Sequence, residues 1–160
     1  MEKETLVLNK LAGAFPCLEG AGVIPVERRI FIDVPGEIFM DVIKYACLEL
    51  KFDHLCTITG LDAVEYFEFI YHISNDDGIV LNLKRRAPKD NPVIDSVLPL
   101  YNGATFYELE LEGILGAEVT GLPKDRQYPL PDTWPKGQYP LRKDWSPDSL
   151  QNNLQAEGEN

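Results

Sequence analysis

The sequence is poor in the residues that most site chemistry requires. It holds three cysteines and two histidines in 160 residues. Cys17, Cys47 and Cys56 are odd in number, lie 30 and 9 residues apart, and form no Cys-x-x-Cys pair. A disulfide framework and a cysteine-held zinc or iron–sulfur centre are therefore not expected. Cys47 falls on the apolar side of a predicted helix and reads as core. Cys17 has no basic neighbour to make its thiol reactive. His54 and His72 belong to no His-x-x-x-His or Cys/His grouping, so they read as ordinary strand residues rather than metal ligands or general bases. Gly-x-Gly-x-x-Gly, the Walker A lysine and Gly-x-Ser-x-Gly are missing.

Positive charge is also scarce. Fifteen basic residues stand against 26 acidic ones, a net charge of −11. That balance steers the protein away from nucleic acid and from anionic bilayers, both of which reward cations that neutralise phosphate. No apolar run approaches the roughly 18 to 20 residues of a membrane helix. The opening, Met1-Glu-Lys-Glu-Thr-Leu6, carries acid where a secretory signal carries base. The expected setting is a reducing, cytoplasmic compartment, with no direct membrane insertion and any membrane contact made through other subunits.

What remains is an ordinary globular composition, with 44% hydrophobic and 26% charged residues. Its length suits one domain that buries roughly 70% of its unfolded surface without help from a metal. Residues 4–19 suggest a short helix ending near Gly13–Pro16. Residues 22–34 suit a strand, with Ile30, Ile32 and Val34 alternating against Phe31 and Asp33. Pro35 then opens an amphipathic helix carrying Ile38, Phe39, Val42, Ile43, Ala46, Cys47 and Leu50 at three- and four-residue steps. Strands follow over 55–62 and 65–73, the latter with Phe67, Phe69, Tyr71 and Ile73 on one face. The Asp-Gly turn at Asp77-Gly78 returns the chain into a strand over 79–86. Residues 93–100 are too interrupted to assign. A second helix covers 102–115, with Gly116 as its C-cap.

Two features carry most of the functional weight. Glu108, Glu110 and Glu112 fall within five helical residues, and Glu108 and Glu112 repel at i, i+4 unless something compensates. No Glu-x-x-His accompanies them, so a di-metal centre is not indicated. The readings left are a solvated face or ion pairing, within the chain or across an interface. The second feature is proline. Six prolines between Pro123 and Pro147 exclude a central strand or a through-running helix. Residues 122–145 of this arm hold five basic and three acidic residues, +2, while the rest of the chain sums to −13. Both tryptophans, Trp134 and Trp145, lie there beside Tyr128 and Tyr139. Arginine with tryptophan and tyrosine on an irregular segment suits a docking arm, since such side chains supply interface hot spots. A tail wrapped on its own domain fits equally well.

These segments resemble the thirty-kilodalton subunit, or C subunit, of NADH-quinone oxidoreductase (respiratory complex I) and its relatives in energy-converting nickel–iron hydrogenases. The stretch Glu108 to Arg126 (ELELEGILGAEVTGLPKDR) is similar to the family's Glu-Arg-Glu helix, Phe-Gly-Ile turn and Gly-His-Pro-Asp-Leu-Arg-Arg segment. Gly137-Gln-Tyr-Pro-Leu-Arg-Lys-Asp144 looks like its Gly-x-Pro-Leu-Arg-Lys-Asp ending. Phe52-Asp-His-Leu, Thr59-Gly-Leu-Asp62 and Asn91-Pro-Val-Ile-Asp-Ser-Val97 fit its layout, so the likeness spans about residues 36–145. Leu109, Gly113, Leu115, Leu122 and Gln127 stand where the family carries Arg, Asp, Phe, His and a second Arg.

The resemblance implies an α+β domain over 1–121, a mixed sheet with two main helices packed on it. An extended docking arm would follow over 122–148 and a polar, frayed tail over 149–160. It implies a non-catalytic structural subunit of a membrane-associated redox complex, peripheral to the inner face of the cell membrane. Such a chain has no catalytic residue, metal or cofactor of its own; iron–sulfur clusters and nickel–iron or quinone sites belong to its partners. Those are a large hydrogenase-like subunit and neighbouring iron–sulfur subunits. The expected partner-facing residues are Glu108, Glu110, Arg126, Trp134, Arg142, Lys143, Asp144 and Trp145, with Gly116, Gly121, Pro123 and Pro140 as structural turns. The competing readings are a free-standing enzyme, using His54 or His72 with Glu108 or Glu110, and a stand-alone adaptor of the same fold.

Overall fold

The computed structural model describes residues 2–123 and 128–148. The chain opens with α1 (Glu2–Ala14), then forms the hairpin β1 (Gly22–Val26) and β2 (Arg29–Asp33). The single strand expected over 22–34 is thus two. Its alternation is broken at Arg28, whose φ of +63° makes the turn. Glu4, buried on α1, accepts a hydrogen bond from the Arg28 backbone N–H at 2.7 Å and ties that turn to the first helix.

A single 3₁₀ turn over Gly36–Ile38 then leads into α2 (Phe39–Leu48). β3 (His54–Asp62), β4 (Tyr66–Ser74) and β5 (Val80–Pro88) complete a five-stranded sheet of order β1-β2-β5-β4-β3. Only β2 and β5 are parallel; every other neighbour is antiparallel. This mixed sheet with helices packed on it is the expected α+β architecture. The α2 residues Phe39, Val42, Ile43 and Ala46 are fully buried, as are Phe67, Phe69, Tyr71 and Ile73 of β4 and Leu81 and Leu83 of β5. Period two on the strands and period 3.6 on the helix therefore converge on one core.

The unassigned stretch after the sheet contains β6 (Val93–Asp95), which pairs in parallel with β7 (Glu118–Thr120). Between them runs α3 (Ala104–Glu110), which widens into a π turn over Leu111–Leu115 instead of continuing as one α-helix. Gly60 of β3 makes that packing possible. A Cβ there would come within 2.5 Å of Leu111 and 2.9 Å of Leu115, so only glycine admits the two leucines onto the sheet. The segment closes at Gly116, whose φ of +76° is the left-handed cap.

Candidate functional site

The site is the arm and the seat it occupies at the end of α3. Residues 128–147 form neither strand nor α-helix, as proline density requires, yet they lie against the domain. Arg142 makes the main attachment. Its Nε donates to the Leu115 carbonyl at 2.7 Å and its Nη2 to the Gly116 carbonyl at 3.2 Å. Those carbonyls, at the open C-terminal end of the helical segment, favour a cation. The guanidinium also stacks over Tyr139, at 4.5 Å, and Phe67, at 5.1 Å. A Cβ at Gly116 would overlap both Arg142 and Tyr139, a second reason for glycine there. Leu141 N–H adds a backbone bond to the Ile114 carbonyl at 2.9 Å. Arg142, one of the expected partner-facing residues, is engaged here by its own chain.

Asp62, at the end of β3, is the second attachment. Its side chain is almost wholly buried and takes the Lys89 ammonium at 2.8 Å, the Lys143 backbone N–H at 2.9 Å and the Val64 N–H at 2.8 Å. Burial pushes its pKa upward, but the Lys89 and backbone hydrogen bonds together with the Lys89 charge outweigh that and hold it at about 2. What Asp62 binds of Lys143 is the backbone, and the residue itself is exposed. Asp144 is exposed as well, its carboxylate at the edge of the same cluster, 3.9 Å from the Lys89 ammonium.

The tryptophans are held by the arm itself. Their rings sit 6.2 Å apart, and both indole N–H groups donate to Gln138, from Trp134 to its carbonyl at 2.8 Å and from Trp145 to its side-chain oxygen at 2.9 Å. Both rings remain half-buried, while Leu141, Tyr128 and Phe106 are exposed nearby at 45%, 36% and 51%. Tyr128 and Phe106 meet edge to face at 5.4 Å. An open cleft of about 340 Å³ runs between arm and helix, lined by Leu109, Glu112, Gly113, Tyr128, Trp134 and Tyr139 among others. Gly113 admits the arm here, since any Cβ would fall inside contact distance of the Tyr128 carbonyl.

The glutamate run resolves into separate roles. Glu108 is wholly buried, accepting from the Ser96 hydroxyl at 2.6 Å and the Val97 N–H at 2.6 Å. Glu112 accepts from the Val119 N–H at 2.9 Å. The two carboxylates thus fasten the helical segment to β6 and β7 respectively, which supplies the compensation their repulsion requires. Glu108, expected to face a partner, is turned inward because the β6 end offers it two donors. Glu110 is half-exposed and makes no hydrogen bond or ion pair with the described residues. Gly121 adopts φ +86°, Pro123 stands at the start of the arm and Pro140 within it, directly before Leu141 and Arg142, and Arg126 lies outside the described residues, as do Gln127 and the tail over 149–160. His72 binds Thr59 at 3.0 Å and Asn82 at 2.6 Å, on the sheet face opposite Tyr71, so it does not meet Glu108. Among the described residues no group of three His, Cys, Asp or Glu could hold a metal, and no helix is long and apolar enough to cross a membrane.

Comparison with known proteins decides the lineage. The family described as the 30 Kd subunit of respiratory-chain NADH dehydrogenase matches residues 32–151. The chain belongs to that family. It is 35% identical to the C subunit of the F(420)H(2) dehydrogenase of Methanosarcina mazei, over 87% of this chain and 89% of that protein. It is 28% identical to the beta subunit of the membrane-bound hydrogenase of Pyrococcus furiosus, over 90% and 87%. Among solved structures it is similar to part of the membrane-bound sulfane sulfur reductase, an archaeal respiratory membrane complex, with a TM-score of 0.83, 25% identity, and coverage of 95% of this chain and 91% of that one. Three of the positions at which this member of the family departs from the motifs quoted above, Leu109, Leu115 and Leu122, are buried core residues here.

Proposed function

We propose that this chain is a non-catalytic structural subunit of the hydrophilic part of a membrane-associated redox complex, held to a large hydrogenase-like subunit by its arm. The observation that carries the reading is the construction of the arm. It is pinned at Arg142 and Asp62, and between and beside those pins it presents two half-buried tryptophans with Leu141 and Tyr128 exposed, Tyr128 resting against exposed Phe106 of α3. Apolar and aromatic groups displayed on a fixed irregular segment are what an interface core needs and what a solvated tail lacks. The relatives support the setting, since each named above is part of a dehydrogenase, hydrogenase or reductase. Clusters and quinone or nickel–iron sites then reside in the partners, and Glu110, Lys143 and Asp144 lie on the polar rim. The chain reaches the inner face of the membrane only through those partners.

The test is affinity isolation of the tagged full-length chain from detergent-solubilised native membranes, with mass spectrometry of what accompanies it. The expected result is a stoichiometric set containing a large hydrogenase-like subunit and iron–sulfur subunits. Recovery of the chain alone in the cytosolic fraction contradicts the proposal and favours a stand-alone adaptor.

A further inference from the structure

Arg85 is out of place on the core face of β5. The strand buries Leu81, Leu83 and Ala87 on that face, and Arg85 follows the same alternation, paired with Phe69 of β4. It is only 7% exposed, yet its Nε and Nη1 are buried with no hydrogen-bond partner, and no carboxylate of the described residues pairs with it. Its sequence neighbours point to the other face and are paired. Lys84 meets Asp33 at 2.9 Å, and Arg86 lies 3.9 Å from Asp33 and 3.7 Å from Glu68. Arg85 has instead the ring of Phe39, 5.2 Å from its Cζ. A cation–π contact offsets part of the loss of water but leaves the N–H donors unused.

A second unsatisfied group sits beside it. Tyr71 occupies the diagonal position on β4, packs on the same Phe39 at 4.7 Å, and its hydroxyl is also buried without a partner. Burial raises the Tyr71 pKa and the Arg85 charge draws it back down, consistent with their proximity. Native interiors rarely leave such donors unmet, so two together point to an acceptor that arrives from outside. There is an entrance. Arg85 Nη2, unlike Nε and Nη1, is not a buried unpartnered atom, and it lies beneath half-exposed Gly36, where an added Cβ would be in ordinary contact with it at 3.5 Å. A surface cleft bordered by Asp33, Pro35, Gly36, Lys84 and Arg86 opens at the same glycine.

We propose that Arg85, backed by Tyr71, receives a carboxylate side chain of a neighbouring subunit, which enters past Gly36 at the start of α2 and completes the ion pair on assembly. The inference rests on the subunit reading above. A planar guanidinium fork suits a carboxylate, and Lys84 and Arg86, on the other face of the strand, are already paired with Asp33 and Glu68, which leaves Arg85 as the cation of this run that lacks an acid among the described residues. Among the described residues the charge has no carboxylate partner, and the proposal gives it one in the complex, which separates this role from an ordinary structural one.

The experiment compares full-length wild type, Arg85→Met and Arg85→Lys, both as isolated chains and in native membranes. Methionine keeps the bulk and removes the charge. The expected result is a Tm of the isolated Arg85→Met chain equal to or above that of wild type, with co-purification of the complex reduced at least about tenfold; Arg85→Lys falls between. Parallel loss of Tm and assembly would show a residue needed for folding alone and overturn the proposal. Undiminished assembly of Arg85→Met overturns it too. So does a Tm rise with millimolar chloride or phosphate that wild type shows and Arg85→Met lacks, with assembly intact, which identifies a small-anion site. If wild type itself emerges without partners, the subunit reading fails first, and this proposal with it.

Discussion

Replacing Trp134 and Trp145 together by alanine is expected to weaken the hold of the chain on its complex by about 30-fold or more, since one desolvated aromatic anchor contributes roughly 2 kcal/mol. The fold should survive. Both indoles bond to Gln138 within the arm, and neither reaches the sheet or α2 by a hydrogen bond. Their removal leaves the Arg142 and Asp62 attachments in place. Far-ultraviolet circular dichroism should therefore be unchanged while co-purified partner falls. Unaltered recovery of partners would mean that the tryptophans serve only to stiffen the arm.

The largest effect on stability is expected at Glu108. Truncation to alanine leaves the buried Val97 N–H without an acceptor and opens a cavity, which should cost about 2 to 4 kcal/mol in chemical denaturation. Glu108→Gln should behave differently, because the amide oxygen can still accept from Val97 while its NH₂ donates to the Ser96 hydroxyl. Burial raises the Glu108 pKa, the Ser96 and Val97 bonds lower it, and Glu112 adds to the rise, so the net direction is upward. An acid whose folded pKa exceeds its unfolded one contributes its full stability below the unfolded value and loses it as pH climbs through the folded value. The glutamine variant should therefore gain on wild type as pH rises from about 4 toward neutrality. A gap between them that is constant with pH, or that moves in favour of wild type as pH rises, would show that Glu108 is bound as a carboxylate at no penalty.

The sheet and α2 are readable in the sequence because they obey simple periods. Phe67, Phe69, Tyr71 and Ile73 alternate, and Phe39, Val42, Ile43 and Ala46 recur at helical steps, so each pattern specifies its buried face. The β6–β7 pair is not readable. Each strand has three residues, too few for any period, and the partners are brought together by α3 and by the Glu108 and Glu112 carboxylates, long-range contacts that leave no local mark. The same holds for Glu108. A charged residue beside two others looks solvated until the segment that supplies its donors is in place. Arg142 shows the converse. The arm is legible from its prolines and its reversed charge, but whether an arginine there serves a partner or its own helix end depends on the path of the chain. Arg85 is masked by its setting, since Lys84-Arg85-Arg86 reads as one exposed basic run although the strand turns its middle member inward.

The role of the arm is tested most directly by a chain ending at Pro123, expressed in place of the full-length protein and isolated from the same membranes. The expected result is a folded, cooperatively melting domain that recovers less than about a tenth of the partner subunits. Retention of the complete set of partners by that shortened chain would contradict the assignment of docking to the arm and place the interface on the domain itself.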